Sequence, residues 1–325
     1  MNKFISIFII LSLSFYSLEV EDTSYSLLLK YVRKNTVNQA YLQLPKRSQV
    51  NILKMCNLIS QEKENYSLND YEAVYLVYYW IGQNIEIDCS NSNSKYESAI
   101  TAYNEGKSSY VGTSALFSTM VSTLGYKSNY IEGTLKAIVN NNKGEVVSEM
   151  DHLWDYVLIN GQYFLFDPTL AAGSCDNTFR KFFSDFYFGT DPQFFIRTHY
   201  PESDKWQLLT TTVSKEKFTS WAYINKYFFL YGFKTVNPET DNLTVNQNSE
   251  INLTYDKTRD IVISCNKVVY SGKYYYYNFA CSLSDDGTGK IKFQGDEKMD
   301  DFIIYSKPRG EKTAYAIVIY KVKNN

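Results

Sequence analysis

Two apolar runs, His152-Leu-Trp-Asp-Tyr-Val-Leu-Ile159 and Gln162-Tyr-Phe-Leu-Phe-Asp167, are joined by Asn160-Gly161. Asn-Gly readily adopts the positive φ angles of a type I′ turn, so the segment predicts a tight antiparallel hairpin. Its register follows by counting. Ile159 pairs with Gln162, which sets Trp154 opposite Asp167 and His152 opposite Thr169. His152 and Asp167 then project from one face as diagonal neighbours, roughly 5.5–8 Å apart at the backbone and within side-chain reach. Spacing alone predicts a His–Asp pair, in a chain with only two histidines, His152 and His199.

Upstream of the hairpin the pattern is mostly helical. Tyr25 to Val32 and Gln49 to Glu62 read as surface helices, and a stronger helix runs from Asp70 to about Ile85. Asn69 is placed to cap it, with Glu72 at the capping-box position; Ala73, Val77, Trp80, Ile81 and Asn84 fall on one stripe. After a polar loop from Cys89 to Lys95, another helix starts near Ser109 and ends at Gly125, which suits a C′ residue. Tyr130 to Val139 reads as a strand, with a turn at 140–144 and a return beginning at Val146. Helices followed by an antiparallel sheet give an α+β class. From Phe218 to Asn325 the helical pattern mostly disappears. Short runs such as Ile251–Tyr255 and Phe302–Tyr305 alternate with turn clusters, which predicts a β-sandwich. Asp285-Asp286 reads as an acidic hairpin tip, because no full calcium loop follows.

A His–Asp pair suits a thiol nucleophile: the carboxylate orients the imidazole, and the imidazole accepts the thiol proton. The expected place for that thiol is occupied by something else. Gly106-Lys-Ser-Ser-Tyr110-Val-Gly112-Thr-Ser-Ala-Leu116-Phe117 resembles the active-site segment of the transglutaminase-like cysteine enzymes, which runs Gly-Lys-Gly-Val-Cys-x-Gly-Tyr-x-x-Leu-Phe. Gly106, Lys107, Gly112, Leu116 and Phe117 keep the register, which puts Tyr110 on the cysteine. His152-Leu-Trp154-Asp155 resembles the family's His-x-Trp-Asn, and Asp167-Pro168-Thr169 its Asp-Pro-Thr. The segment from Phe186 through Thr198-His199-Tyr200-Pro201 to Trp206-Gln-Leu-Leu209 is similar to the tail of kyphoscoliosis-peptidase-like proteins, where it leads into β-rich modules. The resemblance, spread over residues 70–210, implies a papain-like transglutaminase core (residues 21–209) followed by an immunoglobulin-like β-sandwich (210–325). In that frame His199 is expected to be structural.

Other features bound the function. The 325 residues carry a net charge of −2 with the signs spread along the chain, which argues against nucleic-acid binding. Met-Asn-Lys followed by the apolar run Phe4–Phe15 has the plan of a secretory signal peptide, assigned to residues 1–20, with a retained signal anchor as the alternative. No other segment could cross a membrane. The five cysteines lack Cys-x-x-Cys spacing, so no metal site and no cofactor are expected. Cys265 and Cys281 are the expected bridge, and Cys89 is a disulfide partner or a surface thiol. Asn65, Asn242 and Asn252 head N-glycosylation sequons.

A phenol ionises near pH 10 and is a poor substitute for a thiolate, so Tyr110 implies lost chemistry beside a retained His152–Asp167 pair. The expectation is a secreted or cell-surface, catalytically inactive transglutaminase-like protein that binds a protein or peptide. The alternative is an active cysteine peptidase or protein-glutamine acyltransferase with a displaced nucleophile.

Overall fold

The computed structural model describes residues 25–89, 97–141, 144–176, 178–246, 249–271, 273–293 and 298–323. The expected leader, residues 1–20, lies outside them, as does most of the loop after Cys89. The first half is built on five helices: α1 (Lys34–Leu42), α2 (Ile52–Asn65), α3 (Asp70–Asn84), α4 (Ala99–Glu105) and α5 (Tyr110–Thr123). The capping box of α3 forms as expected. Asn69 Oδ1 accepts from the Glu72 amide and Glu72 Oε2 accepts from the Asn69 amide, each at 2.9 Å. Glu72 is fully buried, and Arg33 offsets its charge by donating to both carboxylate oxygens at 2.7 Å. Instead of one stripe, α3 buries most of its circumference, from Ala73 through Ile81, which makes it the central helix of the core.

Against these helices lies a four-stranded antiparallel sheet of β1 (Lys127–Asn141), β2 (Gly144–Ile159), β3 (Gln162–Phe166) and β4 (His199–Pro201), in the order β3-β2-β1-β4. Asn160 and Gly161 take φ angles of 51° and 81°, and Ile159 pairs with Gln162, as the turn chemistry requires. The ladder stops at Asp155 opposite Phe166, so neither the expected Trp154–Asp167 pairing nor the His152–Thr169 pairing forms, and Thr169 lies in a helix instead. Pro168 has no amide hydrogen to continue the ladder, and Asp167 caps this short helix, α6 (Pro168–Ala172), accepting from the Leu170 amide at 2.9 Å.

The N-terminal expectation needs correction. Tyr25 to Val32 is not a surface helix; only Leu29–Tyr31 makes a 3-10 turn, and Tyr25, Leu28 and Leu29 are buried. The reason is long-range pairing. The Ser26 hydroxyl donates to the Phe188 carbonyl at 2.6 Å and the Leu27 amide to that of Gly189 at 2.9 Å, so these groups are not available to a helix. The helix expected from Gln49 is α2, which starts later, at Ile52, because Asn51 caps it, accepting from the Lys54 amide.

Beyond two short helices, Lys215–Ser220 and Lys226–Leu230, the described residues are strands and turns. One sheet has Phe233–Asn237, Glu250–Tyr255, Thr288–Lys292 and Leu283–Ser284 in that order. The other orders Leu243–Thr244, Tyr315–Lys323, Asp301–Pro308, Ile261–Tyr270 and Tyr274–Phe279. Ile251, Leu253 and Ile291 of the first sheet share a core with Phe302, Ile304, Val318 and Tyr320 of the second, which is sandwich packing. The expected Cys265–Cys281 bridge forms within it.

The two halves are tied by a buried cation. Lys136 of β1 donates to the carbonyls of Phe218, Thr219 and Trp221 at 2.8, 3.3 and 3.1 Å. Burial pushes its amine down to about 8.

Candidate functional site

The site assembles where the start of α5 meets the open face of β2. Ser109 caps α5, its hydroxyl accepting from the amides of Val111 and Gly112. Glu97 Oε2 in turn accepts from the Ser109 hydroxyl at 2.6 Å and amide at 2.8 Å. A Cβ on Gly112 would fall 2.3 Å from Ser108 Oγ and 2.6 Å from the Glu97 carboxyl carbon, so a side chain there would displace the groups that close over this helix end. Tyr110 is the first helical residue, and its ring therefore leaves the helix at the N-terminal rim.

Opposite it stands His152. The centroids of the Tyr110 and His152 rings are 5.3 Å apart, with the planes tilted by 49°. Burial raises the Tyr110 hydroxyl above its ordinary value, and the nearby Asp151 carboxylate raises it further, so the phenol is neutral. His152 is 5% exposed and Asp167 fully buried. His152 Nε2 lies 2.8 Å from Asp167 Oδ2, so the side-chain pair that spacing predicts is made, although Asp167 reaches it from a helix cap.

His199 was not expected here. Its Nε2 lies 3.1 Å from the same Asp167 oxygen, and Thr198 Oγ1 lies 2.9 Å from its Nδ1. A carboxylate oxygen only accepts, so both Nε2 atoms carry hydrogen. Burial alone would raise the Asp167 carboxyl. The charge of His152 and the hydrogen bonds from both imidazoles outweigh it and hold Asp167 well below the usual carboxylate range. Burial pushes His199 the other way, toward the neutral form. β4 delivers His199, and β4 can approach β1 because Gly133 has no side chain; a Cβ there would sit 2.3 Å from the Tyr200 carbonyl oxygen. No sequence spacing between residues 152 and 199 could have revealed this, because the link is the pairing of β4 with β1, Leu135 opposite His199, strands far apart in the chain.

The ligand-type atoms of His152, Asp167 and His199 all lie within 4.8 Å of one another, a set that could hold a metal ion only by exchanging both hydrogen bonds. Behind them Asp155 is fully buried, with Ser114 Oγ donating to Oδ2 at 2.9 Å. Burial raises the Asp155 carboxyl well above its usual range, which makes it a neutral acid.

Two cavities flank the Tyr110–His152 contact, of about 600 Å³ and about 440 Å³. The smaller is bordered by Cys89 and Cys175, which form a disulfide with Cα atoms 5.4 Å apart. Cys56, on the buried face of α2, is the remaining cysteine, and burial pushes its thiol up to about 11.

A family model for the transglutaminase-like superfamily matches residues 59–168. The chain carries a transglutaminase-like domain. That match spans α3 through β3 and contains Tyr110, His152 and Asp167, while His199 lies beyond it. Among curated proteins, this transglutaminase-like chain is 29% identical to kyphoscoliosis peptidase of Mus musculus over 213 residues, covering 63% of this chain and 32% of the mouse protein. It is 29% identical to kyphoscoliosis peptidase of Homo sapiens over 191 residues, covering 57% and 29%. A 65-residue stretch is 35% identical to Hillarin of Drosophila melanogaster, covering 20% and 8%. The chain thus spans about a third of the length of the kyphoscoliosis peptidases it matches. These similarities support a kyphoscoliosis-peptidase-like subgroup for the transglutaminase-like domain.

Proposed function

We propose that the transglutaminase-like domain is a catalytically inactive binding module whose cleft takes a peptide or protein ligand. The observation that carries this reading is the contact between the neutral Tyr110 phenol, at the first position of α5, and a His152 that keeps its bond to Asp167. Tyr110 occupies the nucleophile position of the resembling segment and cannot supply a thiolate. His152 and Asp167 retain an orienting geometry without a thiol to act on.

The test is an acyl-transfer and peptide-cleavage assay on the purified full chain, with and without a thiol alkylator. The reading expects no turnover in either. Alkylator-sensitive turnover would favour a displaced nucleophile instead. Cys89 and Cys175 both border the cleft, so the assay is run with their bridge intact and after its reduction.

The proposed setting is the secretory pathway, with residues 1–20 as leader, 21–209 as the transglutaminase-like domain and 210–325 as the sandwich. Two disulfides and the exposed sequon residues Asn65 and Asn242 support an oxidising compartment. The two large core clusters, one with its buried residues before residue 210 and the other after it, support the division, while Ile196 packs with Phe218 and Trp221 across it.

A further inference from the structure

The two cavities meet at Tyr110, Asp151 and His152, and their chemistries differ. The larger is walled by the carboxylates of Glu97, Glu132, Asp151 and Glu202. Gly133 pairs with Pro201 across the β1–β4 ladder, which sets Glu132 directly opposite Glu202 at the rim. Like charges placed opposite each other on neighbouring strands repel, and a cation between them removes that repulsion. Tyr110 and Tyr130 add two ring faces to the same wall, the second 46% exposed. Among the described residues, no lysine or arginine lines either cavity.

The smaller cavity is mostly apolar, walled by Ile87, Leu135, Met150 and Leu170. It also holds an independent polar feature. Thr169, 5% exposed, lines this cavity, and its hydroxyl has no hydrogen-bond partner. A buried hydroxyl left unpaired costs stability, and a ligand that supplies the missing bond recovers it.

We propose that the cleft binds an extended peptide carrying a lysine or arginine next to an aliphatic residue. The cationic side chain enters between Glu132 and Glu202 against the tyrosine rings, and the aliphatic one enters the smaller cavity. A backbone group of the peptide reaches the Thr169 hydroxyl. This assignment rests on the binding-module reading and adds the chemistry of its ligand.

The test uses the full chain and three labelled, end-blocked octapeptides of Gly and Ser that carry a central Lys-Leu, Glu-Leu or Lys-Ser pair. Fluorescence anisotropy reads affinity, and mass spectrometry reads whether each peptide stays intact. The expected result is binding of the Lys-Leu peptide at least about tenfold tighter than the other two, weakening as salt is raised. Glu132→Gln with Glu202→Gln should weaken it by about fivefold or more, and Thr169→Val by about two- to fivefold. Equal affinity for the Lys-Leu and Glu-Leu peptides, no binding of any, or an unaffected double variant would overturn the ligand assignment. Spermidine displacing the label as well as unlabelled Lys-Leu peptide does would assign the acidic cavity to free polyamines and overturn it too. Cleavage of a peptide during the assay has a different consequence. It contradicts the inactive-module reading, while the three affinities still decide the charge preference.

Discussion

The Tyr110 ring leans on the His152 imidazole, centroid to centroid 5.3 Å, at the junction of two cavities. This contact sets the chemistry of the domain. A small nucleophile at the start of α5 would face the imidazole across open space, whereas the phenol fills that space and stays neutral.

The shared oxygen of Asp167 makes the first stability prediction. Asp167→Ala removes the partner of two buried imidazoles and the cap of α6, and should cost about 3 kcal/mol or more. His199→Phe, which keeps a ring but removes one of those hydrogen bonds, should cost roughly 1–2 kcal/mol. Urea denaturation monitored by tryptophan fluorescence checks both. A larger loss for His199→Phe than for Asp167→Ala would show that Asp167 is not the hub.

Asp155 makes a prediction about pH. Its folded pKa is raised, so the native state keeps a proton that the unfolded chain releases above about pH 4. The stability this acid contributes is therefore complete below the unfolded value. It declines by about 1.4 kcal/mol per pH unit above that value, until the folded pKa is passed. Asp155→Asn does not titrate and matches the asparagine of the resembling motif. Its stability advantage over the native chain should grow steadily as the pH is raised from about 4 to 7. A difference that stays flat over that range would contradict a neutral Asp155.

Lys136 predicts how the halves respond to nicking. The exposed residues Thr210 to Thr212 are the expected site of limited proteolysis, and the Lys136 clamp lies on residues 218–221, beyond the cut. The nicked fragments should co-elute on size exclusion. Lys136→Met leaves three carbonyls without their donor and should let the fragments separate more readily. Fragments that part equally in both proteins would show that the clamp carries no weight.

The sequence made the hairpin legible because Asn160-Gly161 sets both turn type and register, and that register pointed to the His152–Asp167 contact, which the structure makes with Asp167 in a helix cap rather than in the ladder. The α3 capping box was legible for the same reason, since Asn69 and Glu72 act within four residues. What stayed hidden was non-local. His199 reaches Asp167 through the β1–β4 pairing, Ser26 straightens its segment by bonding to Phe188 and Gly189, and Cys89 finds Cys175 across 86 residues. None of these leaves a periodic trace along the chain.

The claim that Tyr110 stands at the nucleophile position of an otherwise intact His–Asp arrangement is tested most directly by Tyr110→Cys. Position 110 opens α5, where the helix dipole favours a thiolate and His152 is placed to accept the proton. The background is low, because Cys56 is buried with its thiol pushed up to about 11 and the other four cysteines are bridged. Iodoacetamide should modify the new thiol at least about tenfold faster than Cys56, and His152→Ala in the same protein should slow it by about tenfold. Equal rates with and without His152 would mean that the imidazole does not serve position 110, and the proposed constellation would be wrong.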